Sequence, residues 1–412
     1  MAKSALVLGG GMVGVCTAWH LARRGFDVTV VDRRAPGQET SYGNAGLIQR
    51  ECVEPYNFPH DFPRLLGIAL GRDNTVHYDM RAMPGLASRL WQYWRQSGPR
   101  SYPAVVRNFE AMIRHCLTEH EVMIRAAGAQ DLIRPGGFKL ALQSPRAFAH
   151  EARRSEFLRH EFGVGSTILD SDMLARAEPA LRERFAGAIH WTDAWAVRDP
   201  GGLVGRYVSA LQQAGGRLAT GDAATLEADG TGWCVSTTQG SIRAEHAVVA
   251  LGPWSGRLLR GMGYRYPLFV KRGYHTHYAG DAGLNTAVLD MKAGTMMVPM
   301  NMGLRVTTGV EFAALDAPPT PVQMRRSERR ARQLLPLGAR IEATPWLGNR
   351  PALPDMVPVV GAAPRHRGLW LHFGHAHQGF TLGPVTGRLL AEMMNGETPY
   401  FDPQPYSPTR FG

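Results

Sequence analysis

Apolar positions in this chain come in short blocks with two periods. Ala5-Leu6-Val7-Leu8 is an unbroken apolar run that leads straight into Gly9-Gly10-Gly11-Met12-Val13-Gly14. A short apolar run bounded by glycine predicts a buried strand. Val15 to Arg24 is helix-compatible and closed by Gly25, and Phe26 to Val31 is a second strand ending on Asp32. Val105, Phe109, Met112, Ile113, Cys116, His120, Met123 and Ala127 recur at helical spacing. They predict one amphipathic helix over 105–127, closed by Gly128. Gly136-Gly137 turns into a strand to Leu142, and Ser144-Pro145 opens a helix reaching about Phe162. Asp199-Pro200 reads as the cap of another helix. Ala247 to Leu251 is a buried strand that breaks at Gly252.

From Tyr264 onward the pattern shifts to hairpins. Leu268 to Tyr278 is one strand, with Tyr274 and His277 read as sharing a face. Thr295–Met300 and Leu304–Gly309 pair through Asn301-Met302-Gly303. Thr320-Pro321 reads as the cap and first turn of an arginine-rich helix that Pro336 stops. Gly368 to Phe373 is a strand, residues 374–381 a glycine-rich loop, and Gly383 to Met394 a helix. Residues 60–104 mix Leu65, Leu66, Ile68 and Leu70 with Trp91, Tyr93 and Trp94. Core beneath a helix is the preferred reading there, over a membrane-facing patch.

Composition narrows the class. With 412 residues, 44% of them hydrophobic and 20% charged, the chain is expected to be globular and to form two domains. No apolar stretch reaches the length of a membrane span. The net charge of +11 comes from arginine, since Lys3, Lys139, Lys271 and Lys292 are the only lysines. The densest cluster, Arg325, Arg326, Arg329, Arg330 and Arg332, is expected to be the solvated face of its helix. No nucleic-acid-binding motif accompanies it. Cys16, Cys52, Cys116 and Cys234 are isolated, which signals neither zinc nor an iron–sulfur cluster and suits a reducing compartment. The expected location is the cytoplasm, with a peripheral contact at the inner face of the membrane left open.

The chemistry starts at the glycine turn. Strand, Gly9-x-Gly11-x-x-Gly14, helix, strand and Asp32 make up the dinucleotide-binding fingerprint. Gly9 serves the tight turn, Gly11 the approach of a pyrophosphate, and Gly14 the packing of helix on strand. The helix start favours the phosphates, and Asp32 the ribose hydroxyls. Met12, Val13 and Arg33 belong to the same site. The loop from Ala35 to Gly46 either turns or wraps a ligand.

This fingerprint followed by Thr40-Ser41-x-x-Asn44-Ala45-Gly46 resembles the FAD-dependent amino-acid oxidase and dehydrogenase family. The C-terminal Gly374-His375-Ala376-His377-Gln378-Gly379-Phe380-Thr381 is similar to that family's last FAD motif. The resemblance implies an α/β, two-domain flavoprotein. One part is a Rossmann-like FAD domain assembled from residues 1–60, 190–263 and 344–412. The other is an α+β substrate domain with a mainly antiparallel sheet, from 61–189 and 264–343. By the same resemblance Ser41, Asn44, Ala45, Gly46, Gly252, Gly374, Gln378, Gly379 and Thr381 contact FAD. The FAD is expected to be non-covalent, because Tyr42-Gly43 stands where a linking histidine would be. Arg272-Gly273-Tyr274-His275 resembles the strand over the substrate, where Tyr274 is either a pocket or a structural residue. Arg350, in a Gly-x-Arg-Pro turn, is either a carboxylate anchor or the ion-pair partner of an acid such as Asp355. His375 and His377 are candidate assisting groups, and no metal set is signalled.

The implied reaction is hydride transfer from the α-carbon of a D-amino or cyclic imino acid to flavin N5, giving an imine. His375-Ala376-His377 resembles the D-hydroxyproline-type dehydrogenases. A broad D-amino-acid dehydrogenase, a glycine- or sarcosine-type oxidase and a flavin-binding subunit of a multi-chain enzyme are the alternatives. The acceptor is expected to be a quinone or an electron-transfer partner. The oligomeric state is not legible.

Overall fold

A computed structural model describes residues 3–411. The strand Ser4–Leu8 lies inside a six-stranded sheet. Asp27–Asp32 and then Arg217–Thr220 extend the sheet on one side. On the other side come His246–Val249 and Leu369–Phe373. All four of these pairings are parallel, and Val359–Ala362 closes the edge antiparallel. Helices and a small sheet cover both faces, so the strands read as continuous apolar runs.

The helix Met12–Ala22 covers one face and packs against the last helix, Gly379–Asn395. On the other face Leu6 and Leu8 meet Leu226, Trp233 and Val235. Those three come from the small antiparallel sheet Glu227–Asp229, Gly232–Thr237 and Gly240–Ala244 and the turn before it. Gly14 is fixed by this packing, because a Cβ there would strike the Gly9 carbonyl.

A larger, mainly antiparallel sheet of ten strands forms the second layer. Its central strand, Phe269–Tyr278, pairs along one edge with Gly303–Thr307 and Val310–Phe312 and along the other with Trp346–Ala352. It runs on through Thr295–Met300 and Ala287–Asp290 to Phe138–Leu142 and Gly187–Trp191. The hairpin expected from the Asn301-Met302-Gly303 loop is present, as are the helices capped by Ser144 and Asp199.

Several elements depart from the sequence reading. Residues 105–127 form two helices, Tyr102–Ile113 and Cys116–Ala126, broken at Arg114 and His115. Thr320 does not cap the arginine helix Val322–Leu334; its hydroxyl turns to the Glu311 carboxylate. The last helix begins at Gly379, inside the stretch read as loop. Trp346–Ala352, assigned to the FAD domain in the sequence reading, pairs with Phe269–Tyr278 in the larger sheet. The helix Phe62–Ala69, read as covering core, has no buried residue, and Phe62 is 74% exposed.

Candidate active site

One cavity of about 1420 Å³ runs between the two sheets, from Asp32 and Asp222 at one end to Lys271 and Arg350 at the other. Small-molecule sites usually occupy about 300–1,000 Å³, so this one has room for a dinucleotide and a small substrate together. At its dinucleotide end the wall is Gly9, Gly11, Met12 and Val13. Gly11 caps the first helix with no side chain over the helix start. A Cβ at Gly11 would meet only Ser41 Oγ, at 3.3 Å. The space beside it is open, which is the shape a pyrophosphate needs at a helix start. Ser41 Oγ accepts from the Met12 N–H at 2.9 Å and ties the following loop to this turn. Asp32 accepts from the Gly10 N–H at 2.7 Å and keeps further lone pairs at the cavity wall, beside Arg33.

The middle of the cavity is walled by Gly43, Asn44, Ala45, Trp346 and Gly252, then by Gly374 to His377 and Gly379. Four of the candidate cofactor residues, Gly14 from the fingerprint and three from the resemblance, do not reach the wall. Gly14 and Gly46 serve close backbone packing. Gln378 donates to Gln49 Oε1 at 3.1 Å, and Thr381 accepts from the Gln49 N–H at 3.3 Å. Both sit behind the cavity and brace the segment after Leu47. The donors and spaces present fit an FAD: an uncapped helix start, an open glycine cradle, an acid at the end of the second strand, and a second helix start at Gly379.

The loop along this middle section is held from the larger sheet. Arg305 donates to the carbonyls of Tyr42, at 3.0 Å, and of Asn44. Its Nε donates to His277 Nε2 at 2.9 Å, and His277 Nδ1 is bonded to Glu342. His275, His277 and Glu342 bring potential metal-ligand atoms within 4.8 Å of one another. Both His277 nitrogens are taken, one by a guanidinium, so the cluster serves to position Arg305.

Tyr274 and His277 do not share a face, because residues three apart in a strand point to opposite sides. Tyr274 instead sides with Arg272. Its hydroxyl donates to Glu311 Oε2 at 2.8 Å and accepts from Arg272 at 3.0 Å and the Thr320 N–H at 2.8 Å. Arg272 and Glu311 are both fully buried, 3.0 Å apart. Tyr274 thus completes a structural ion-pair network, and its hydroxyl has no site left for a substrate.

The far end of the cavity is built on the opposite face of the same strand. Arg350 is the direct cross-strand partner of Lys271. Its guanidinium lies over Gly273, where a Cβ would come within 2.7 Å of Cζ, so a larger residue there would push the guanidinium from its place. One nitrogen donates to the carbonyls of Gly309 and Arg272, at 3.2 and 3.4 Å. Asp355 is not its partner, being paired with Arg410 at 2.7 Å. Burial lowers the Arg350 pKa. Burial and then the Arg350 charge bring Lys271 down to about 7.

The two candidate histidines diverge. His375 donates through Nε2 to Thr386 Oγ1 at 3.0 Å, because that hydroxyl itself donates to the Leu382 carbonyl. It therefore anchors the last helix. The His377 ring packs on Tyr56, centroids 4.6 Å apart, and burial followed by the Lys271 and Arg350 charges lowers its pKa to about 3. Lys271, Tyr56 and Trp346 were missed in the sequence; the one signal was a lysine inside an otherwise buried strand.

Comparison with known proteins agrees with this architecture. Residues 4–393 match the family described as FAD dependent oxidoreductase, DAO. A D-amino acid dehydrogenase from Dechloromonas aromatica is 32% identical, with 96% of this chain and 97% of that protein covered. A D-amino-acid oxidase from Bradyrhizobium diazoefficiens is 29% identical over 98% of each chain. In fold, the glycine oxidase from Geobacillus kaustophilus superposes with a TM-score of 0.72 at 23% identity, covering 99% of this chain and 98% of that one. The fold, the cavity and this match agree that the chain belongs to the DAO family of FAD-dependent oxidoreductases.

Proposed function

We propose that the protein is an FAD-dependent dehydrogenase of D-amino or cyclic imino acids. The observation that carries this is Arg350, a cation on the wall of the FAD cavity with no carboxylate partner among the described residues. A guanidinium with a free edge binds a carboxylate in a bidentate fork. The bound flavin supplies the hydride acceptor. The chain's own residues anchor the substrate carboxylate through Arg350, line the site with Tyr56, Phe58 and Tyr93, and hold His377 neutral beside it. With its pKa lowered to about 3, His377 is a weak proton acceptor. The FAD is proposed to be non-covalent, since no histidine or cysteine stands at Tyr42-Gly43, and acid precipitation should release free flavin.

Within this class, the D-proline or D-hydroxyproline reading rests on His375-Ala376-His377, and the divergence of those two side chains gives it no added support. The proposed acceptor is a quinone or a partner protein reached at the membrane surface. The exposed apolar face of Phe62–Ala69 supports that contact.

Anaerobic flavin bleaching by a panel of D- and L-amino acids, prolines and N-methylglycines tests the reaction. Losing one partner of a desolvated charge pair costs about 2–5 kcal/mol. Arg350→Met should therefore lower kcat/KM by roughly 30-fold to several thousand-fold with FAD still bound. Arg350→Lys should recover only part. Near-normal turnover in Arg350→Met would remove the anchor.

A further inference from the structure

Six arginine and lysine side chains line the cavity: Arg33, Arg64, Arg154, Arg257, Lys271 and Arg350. Four are matched by acids. Arg33 stands 3.2 Å from Glu39, Arg64 3.8 Å from Asp73 and Arg154 2.7 Å from Glu54, and Arg257 pairs with Asp316. Lys271 and Arg350 have no acid within 4.0 Å among the described residues, and they are cross-strand partners on one face. Cβ atoms of directly paired residues stand about 5 Å apart, so both charged heads fall within reach of one small ligand.

Lys271 is 8% exposed. Its ammonium donates to Tyr93 Oη at 2.8 Å and lies 4.0 Å from the Tyr93 ring centroid, while Tyr93 donates its own proton to the Tyr56 carbonyl. The ammonium is thus held by a neutral partner, with donors to spare. Two neighbouring buried cations without a counter-charge repel each other and are poorly solvated. A bidentate carboxylate on Arg350 uses both its oxygens there. The spare Lys271 donors then call for a second acceptor on the same ligand.

We propose that Lys271 and Arg350 form a paired anion site, and that the substrate is an amino acid with a second acidic group: a D-amino dicarboxylic acid of aspartate or glutamate length, or an imino acid carrying two carboxylates. This rests on the proposed role of Arg350 as the α-carboxylate anchor. Arg350 takes the α-carboxylate and Lys271 the distal one. Gly273, two residues on from Lys271 in the same strand, leaves the space the Arg350 guanidinium occupies.

Two measurements on the holoenzyme test this. The first is thermal protection by succinate or glutarate against acetate or propionate at matched ionic strength. The dicarboxylates should give equal protection at roughly tenfold or more lower concentration. The second is the ratio of kcat/KM for D-aspartate or D-glutamate to that for D-alanine. This ratio should favour the diacid in the native enzyme and fall roughly 10- to 100-fold in Lys271→Met. Equal protection by mono- and dicarboxylates would overturn the site without any variant having to fold. So would a Lys271→Met that lowers turnover of both substrate types alike, since that marks a role at the reaction centre. If dicarboxylates protect but no amino or imino acid bleaches the flavin, the paired site stands and the dehydrogenase reading fails. If D-alanine or D-proline bleaches the flavin while dicarboxylates neither protect nor turn over, the dehydrogenase reading stands and the diacid site fails.

Discussion

At the scale of single residues, the two faces of one strand separate structure from chemistry. On one face Arg272 and Tyr274 meet Glu311 in a fully buried ion pair; on the other Lys271 meets Arg350 at the cavity. Tyr274→Phe should therefore act on stability. It leaves the Thr320 N–H, Glu311 and Arg272 each short of a partner, and a buried unpaired polar group costs about 1–3 kcal/mol. The urea midpoint should drop accordingly while kcat/KM stays within a factor of about 3. A large loss of turnover with unchanged stability would return Tyr274 to the active site.

Glu51 offers a test in pH. It is buried, one carboxylate oxygen has no partner, and the other accepts from Gln49 at 2.7 Å. Burial, outweighing that hydrogen bond, raises its pKa from 4.5 to about 7. The folded state thus binds the proton more tightly than the unfolded polypeptide. The destabilisation is absent below pH 4.5, grows as pH rises through that window and is complete above about 7. Glu51→Gln should stabilise the protein at pH 8 by about 1–3 kcal/mol and near pH 4.5 by almost nothing. Chemical denaturation at the two pH values decides it. In the sequence Glu51 was invisible for the same reason as Lys271. A charged residue declares itself only once its burial is known, whereas Gly9, Gly11 and Asp32 were legible because their spacing is itself the signal.

At the scale of elements, periodicity gave type better than extent. The helix predicted over 105–127 keeps its apolar stripe on both sides of the break at Arg114-His115, so the stripe alone could not show it. The helix Phe62–Ala69 was misassigned because an amphipathic pattern does not say which solvent its apolar face meets. Leu65 and Ile68 turn toward the cavity, while Phe62, Leu66 and Leu70 are exposed to the outside. Arg326 of the arginine helix donates to the Gly71 carbonyl at 3.0 Å, which sets basic residues beside that apolar face. Apolar side chains flanked by arginines suit an anionic lipid surface. The holoenzyme should sediment with vesicles containing anionic lipid, less so as salt is raised. Phe62→Asp with Leu66→Asp should weaken this roughly tenfold without loss of flavin. Equal sedimentation of the two proteins would remove the contact.

At the scale of the whole molecule, the dinucleotide sheet takes strands from three distant stretches of sequence. Ser4–Leu8 and Asp27–Asp32 come first, Arg217–Thr220 and His246–Val249 from the middle, and Val359–Ala362 and Leu369–Phe373 from the end. Glycine motifs at both ends announced this return, but nothing in the sequence showed that Trp346–Ala352 would join the other sheet on the way. That detour brings Arg350 opposite Lys271 before the backbone re-enters the FAD sheet at Val359. The C-terminal stretch thus supplies the proposed substrate anchor, two sheet strands and the last helix, whose Val385, Leu389 and Leu390 are fully buried in the core. We propose that the three stretches form one FAD-binding unit. A truncated protein ending at Arg340 would expose the His246–Val249 strand edge and the apolar face of Met12–Ala22. It should therefore be obtained colourless and poorly soluble. Co-expressing residues 341–412 as a separate polypeptide should restore flavin binding, since those residues carry whole elements and the cut falls between strands. A soluble, yellow fragment of residues 1–340 would show that the FAD unit does not need the C-terminal return.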